Sequence, residues 1–219
     1  MTMKLYFSPG ACSFVPHSLL ETAGADFEPV MVKLHKGEQN EAPFKAINPR
    51  GQVPVLVDGD QTITQIQAIV QYLDAKFPEQ QFLPRDTLAR TRVVEVLAWM
   101  NNTVHPTFTH VFMPFKFAGT PEAQAELKAF NAKVYAGLLG ELEQLARKAA
   151  DQGQAFLGGD RFGPVDAYSL TLLRWGGFAQ IDPTGFTALW AHVQKVAQLP
   201  GVARAIERER LQLNLYKSA

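Results

Sequence analysis

Four short runs rich in β-branched and aromatic residues lie in the first third of the chain, at 4–7, 27–32, 53–57 and 61–64, separated by turn residues and helix-length segments. This alternation predicts a mixed α/β unit. Residues 13–23 join the first two runs and are closed by Gly24, and a helix-length connection with a glycine stop favours a parallel crossover. Asp58-Gly59 joins the last two, a dipeptide suited to a tight hairpin turn, so that pair should run antiparallel. A helix is expected over 65–77, with Ala68, Ile69, Tyr72 and Leu73 on one face. Between the second and third runs the only helical candidate is 39–47, although Pro43 falls inside it and its apolar pattern is thin. The predicted element order is βαβαββα.

Past Phe77 the pattern changes. Residues 78–86, with Pro84, read as a connector, and helical periodicity punctuated by proline or glycine continues to the end. Helices are expected over 87–108, 121–151, 164–179, 186–198 and 202–210. The division that follows is a unit at 1–79, a linker at 80–86 and an all-helical unit at 87–219, giving an α/β plus all-α fold class. No fixed-period repeat or low-complexity tract interrupts it.

Composition narrows the function. With 219 residues, 21 Lys plus Arg and 21 Asp plus Glu, the chain can bury a sizeable core and carries no basic excess to attract nucleic acid. Charges or amides break every apolar stretch before the ~20 residues a membrane-spanning helix needs. The opening MTMKLYFSPG reads as a strand entering a turn, with no visible secretion signal. A soluble, cytoplasmic protein is expected. One cysteine, Cys12, excludes an internal disulfide and a four-cysteine zinc site.

Three features carry candidate chemistry. Cys12 follows the turn Ser8-Pro9-Gly10-Ala11 and precedes an apolar-periodic segment, so it is expected at a helix start. Unpaired amides and the helix dipole would there lower a thiol pKa; Pro16 suits a first turn. The alternative is a small buried hydrophobe. In Asn48-Pro49-Arg50-Gly51-Gln52-Val53-Pro54-Val55, a cis Val53-Pro54 bond would turn the Val53 amide and carbonyl outward to pair with a peptide-like ligand; an ordinary trans proline at a strand edge is by base rate the commoner case. Thr64-Gln65-Ile66 leads from the last strand into a helix whose first amides could bind a carboxylate, with Gln65 adding a side-chain amide. A surface glutamine at an ordinary helix start is the other reading.

Together, SPGACS, NPRGQVPVL, TQIQAIVQYL and GPVDAYSLTLLRW resemble, in order and spacing, the glutathione transferase family, nearest its bacterial beta class. The resemblance implies a thioredoxin-like first domain with cis Pro54, glutathione bound through Val53, Pro54, Gln65 and Ile66, and catalytic Cys12 and His105. A histidine near a cysteine can act as a base or hold a thiolate by charge. Without the resemblance, His105 reads as a core or interface histidine. His17, His35, His110 and His192 have no ligand-type spacing, so no metal is assigned.

The pattern departs in places. Ile66 stands where relatives carry serine or threonine, Phe7 where a tyrosine is common, Pro106 for a basic residue, Ala98 for a polar one, and Gly163 at a helix cap usually held by serine or threonine. The function implied is conjugation of glutathione to electrophiles, or glutathione-dependent thiol-disulfide exchange through Cys12. A catalytically silent, transferase-like binding protein is the alternative. An apolar co-substrate pocket is expected beside Phe14, Phe108, Phe112 and Trp175, although these aromatic positions read equally as core and Trp175 first as core, and a homodimer is implied, with Phe-rich 107–117 offering apolar surface.

Overall fold

The computed structural model describes residues 2–218. Strands β1 (Met3–Phe7), β2 (Phe27–Met31), β3 (Val55–Asp58) and β4 (Gln61–Thr64) form one sheet in the order β2-β1-β3-β4. β1 runs parallel to β2 and antiparallel to β3, and β3 and β4 form the expected hairpin. The crossover is α1 (Phe14–Ala23), closed by Gly24 in the left-handed conformation. β3 begins at Val55, two residues later than expected, because Pro54 has no amide hydrogen to give the ladder.

β1 alternates strictly. Met3, Leu5 and Phe7 are buried on the face that meets α1, while Lys4 and Tyr6 turn the other way. Tyr6 packs edge-on against Phe44 of α2 (Ala42–Ile47). Helix α2 is shorter than expected. Pro43 falls within its first two positions, where its missing amide costs nothing, and two 3-10 turns occupy 34–40 upstream. α3 (Ile66–Lys76) completes the βαβαββα unit.

The remaining elements are helical: α4 (Thr87–Trp99), α5 (His105–Phe112), α6 (Pro121–Asp151), α7 (Pro164–Trp175), α8 (Thr187–Ala197) and α9 (Pro200–Glu209). The single helix expected over 87–108 is broken by a π-turn at Met100–Val104. Pro106 is the physical reason. It cannot donate to the preceding turn and its ring crowds the carbonyl four residues back, and widening the turn relieves both. α7 stops at Trp175, and Gly176-Gly177 lead into a 3-10 turn, Gly176–Ala179.

Helix α1 is buried from Phe14 to Glu21, wedged between the sheet and α7 and α9. Charged side chains of α9 meet its polar groups across that contact. His17 Nδ1 lies 2.6 Å from Glu209 Oε1, and Glu21 pairs with Arg204 and Arg208, each through Nε at 3.0 Å. One hydrophobic core runs from β1 through α1 into α7.

The capping box of α7 shows why glycine stands at 163. Asp166 accepts from the amides of Gly163 (2.8 Å) and Leu157 (2.9 Å), and its Oδ1 lies 2.9 Å from His192 Nε2. A Cβ on Gly163 would come within 2.7 Å of the Phe82 carbonyl oxygen. The Phe82 backbone therefore fills the space a capping side chain would need.

Candidate functional site

Strand register gathers the site. Tyr6 pairs with Val55 and Val55 with Thr64, so β1 ends, β3 begins and β4 ends together at one end of the sheet. The loop bearing Cys12, the Val53-Pro54 bend and the Gln65-Ile66 helix start all adjoin that end. The Val53-Pro54 bond is cis. Val53 precedes the β3 ladder, and its carbonyl oxygen accepts from the Cys12 thiol at 3.7 Å.

Gln65 is exposed and has φ 73° and ψ 130°, a conformation that costs a side-chain-bearing residue ~1–3 kcal/mol and recurs at ligand sites. It turns the chain sharply into α3, whose first amides have no intrahelical partner. The Ile66 side chain is 3 % exposed in the core. Only its main chain can reach a ligand.

Cys12 corrects the expectation of an activated thiol. It sits in a turn two residues before α1. Burial pushes its thiol from the ordinary 9.0 up to about 12, against the smaller opposing effect of the Cys12 and Ser13 amides, while the Glu209 carboxylate adds to the rise. The amides are where the sequence placed them. Desolvation outweighs them.

The Cys12 loop is gripped from the helical side. Glu209 accepts from Gly10 N–H at 2.7 Å, and the Trp175 indole Nε1 donates to the Gly10 carbonyl at 2.8 Å. Gly10 has φ +69°, a conformation that favours glycine, and a Cβ there would push on the movable end of the Arg174 side chain.

His105 opens α5 directly after the π-turn. Its Nδ1 lies 2.7 Å from the Tyr168 hydroxyl, and its ring meets the Trp175 ring at 4.8 Å. Burial pushes the imidazole down to about 4, so it is neutral at pH 7. Burial, reinforced by charge on Cys12, holds the Tyr168 phenol well above its ordinary range. Tyr168 therefore lies within electrostatic reach of Cys12 while bonding His105. Nothing in the sequence reading singled it out.

An aromatic stack borders this centre. Phe108 lies face to face with Trp175 (4.6 Å, 17°) and Phe112 (5.5 Å, 16°), and Phe178 meets Phe112 at 5.0 Å. Phe112 and Phe178 are exposed. Phe14, expected beside the pocket, is buried in the core instead, because α1 is enclosed on every side. Trp175 is both core and loop anchor.

Residues 1–75 match the family pattern described as "Glutathione S-transferase, N-terminal domain", and residues 99–200 match "Glutathione S-transferase, C-terminal domain". The chain belongs to the glutathione S-transferase family. It is 34% identical over 212 residues to Glutathione S-transferase GstA of Escherichia coli O157:H7, covering 95% of this chain and 100% of the relative. Among solved structures, a sphingomonad glutathione S-transferase complexed with glutathione superposes with a TM-score of 0.79 at 32% identity, covering 95% of this chain and 100% of that one. The bacterial beta class glutathione S-transferase of Sphingomonas chungbukensis superposes equally well, at 0.79 and 31% identity, with the same coverage.

Among the described residues no helix is long and apolar enough to cross a membrane, and no group of three or more His, Cys, Asp or Glu could hold a metal ion.

Proposed function

We propose that this chain is a glutathione transferase in which the tripeptide lies along Val53, Pro54, Gln65 and Ile66, with its sulfur beside Cys12 and His105. The observation that carries the reading is the convergence at one end of the sheet of Val53, which lies outside the β3 ladder, the free amides opening α3 and the Cys12 loop. A peptide backbone can pair with Val53 as an added strand does, and α3 can hold a carboxylate through its first amides. Ile66 contributes main chain only.

The chemistry favoured is conjugation by glutathione's own sulfur. Its thiol gives up a proton, the sulfur bonds the electrophilic carbon, and the leaving group departs. Cys12, kept as a thiol by burial, is suited to donate a hydrogen bond rather than to attack. The co-substrate is an apolar, planar electrophile held against the exposed rings of Phe112 and Phe178, which Phe108 and Trp175 back from the core. The protein works in the cytoplasm as a homodimer, with exposed Phe115 and Phe117 of the Phe-rich stretch among the apolar surface buried by its partner. The chain acts as two units, 1–79 and 87–219, joined by 80–86.

The test pairs retention on immobilised glutathione with conjugation of chlorodinitrobenzene by the parent and Cys12→Ala. The reading expects both proteins to be retained and the variant's kcat/KM to stay within about tenfold of the parent's. Thiol-disulfide exchange is the second reading, favoured by the Cys12 and Ser13 amides that oppose the burial effect at the sulfur. A mixed disulfide with glutathione, seen by mass spectrometry after oxidised glutathione and absent in Cys12→Ala, would support it. A folded protein with neither retention nor conjugation would sink the transferase assignment.

A further inference from the structure

Tyr168 and Trp175 are seven residues apart on α7, two helical turns, and so project from the same face. Both contact His105. The indole lies against the imidazole at 4.8 Å and 65°, and the phenol oxygen is 2.7 Å from Nδ1. The ring is thereby held in position and in rotation.

The hydrogen bond also has a direction. Tyr168 is fully buried, and among the described residues its hydroxyl has one hydrogen-bond partner, His105 Nδ1. A phenol is both donor and acceptor, and a neutral imidazole is a donor at one nitrogen and an acceptor at the other. If Nδ1 carried the imidazole proton, Tyr168 would accept it and its own buried O–H would have nothing to donate to. An unmade buried donor is the more costly arrangement. The network therefore puts the phenol proton toward Nδ1 and the imidazole proton on Nε2. Among the described residues Nε2 has no hydrogen-bond partner, so it is the nitrogen left to meet a ligand.

We propose that Tyr168 is a positioning residue that locks His105 as its Nε2–H tautomer, making His105 a hydrogen-bond donor to sulfur at the Cys12 site and not a base. The donor role rests on the reading that glutathione binds here with its sulfur beside Cys12 and His105. The tautomer lock does not. As a donor, the imidazole meets developing negative charge on a thiolate without itself changing protonation, and the proton released by glutathione must leave by another acceptor, such as solvent. The downward displacement of the His105 imidazole agrees with a ring that stays neutral throughout the working pH range.

Nitrogen NMR of protein labelled in histidine reads the tautomer directly, with His105 assigned by loss of its signals in His105→Gln. At pH 7 the parent should show His105 with its proton on Nε2 alone, and Tyr168→Phe, which keeps the ring volume, should show a mixture of tautomers. The Nε2 resonance of the parent should move when glutathione is added. Steady-state kinetics should show kcat falling about tenfold in Tyr168→Phe with the KM for glutathione within about twofold. A proton on Nδ1 in the parent would overturn the proposal, as would a pure Nε2–H tautomer in Tyr168→Phe. An intact tautomer whose resonance ignores bound glutathione would overturn the donor role alone. Loss of glutathione binding with the tautomer unchanged would point instead to failure of the site assignment.

Discussion

Replacing Glu209 with alanine should unfasten the Cys12 loop from the helical half of the molecule. The carboxylate is 4 % exposed and accepts two short hydrogen bonds, one from Gly10 N–H at 2.7 Å and one with His17 Nδ1 at 2.6 Å. Hydrogen bonds to a charged group contribute ~1.5–3 kcal/mol each, and their loss leaves the His17 ring, fully buried on α1, without its partner. The two together give a destabilisation of about 3–6 kcal/mol. For a chain of this size each kcal/mol moves the midpoint by roughly 2–4 °C, so Tm should fall by about 6–24 °C. Thermal unfolding followed by circular dichroism measures it. Glu209→Gln keeps an acceptor for Gly10 but removes the charge. It should lose less stability and, since that charge raises the Cys12 thiol pKa, label faster with iodoacetamide. A Glu209→Ala protein within ~1 kcal/mol of the parent would refute the reasoning, because the bonds would then be replaced by water at no net cost.

Restoring a serine cap at Gly163 should destabilise rather than help, by about 1–3 kcal/mol, since its Cβ would collide with the Phe82 carbonyl; urea midpoints of Gly163→Ser and parent decide the sign. In the free protein at pH 8 Cys12 should react with iodoacetamide on the order of a thousandfold more slowly than an unhindered thiol, because a thiol displaced from 9.0 to about 12 has that much less thiolate. The unfolded chain protonates His105 near 6.5, whereas the folded protein resists until about 4, so its contribution to stability is full above pH 6.5 and is lost as pH falls through that window. Urea unfolding at pH 7 and pH 5 should therefore show a larger loss for the parent than for His105→Gln.

The parts of the fold written in local chemistry were legible from the sequence. Asp58-Gly59 fixed the hairpin, the helix-length segment before Gly24 fixed the crossover, and the alternation of Met3, Leu5 and Phe7 put Tyr6 on the far face. The π-turn was not legible, because apolar periodicity runs unbroken across residues 93–108 and only the backbone registers what Pro106 removes. At the site, the position of Cys12 after a turn was readable but its burial was not, since it depends on tertiary packing, with Val53 against the sulfur and Glu209 and Trp175 holding Gly10. Glu209 sits among charged neighbours in IERER and reads as solvent-facing until α9 is docked on α1. Tyr168 sits in a run that reads as core, which it is. Its hydroxyl was the available signal, for a buried phenol has to find a partner.

The most direct measurement of the central claim is a crystal structure of the protein with glutathione bound. The account predicts the cysteinyl backbone paired with the amide and carbonyl of Val53, a carboxylate on the first amides of α3 beside Gln65, and the sulfur within hydrogen-bonding reach of Cys12 and His105. Glutathione bound with its sulfur away from the Cys12 loop, or held without contact to Val53, would contradict it.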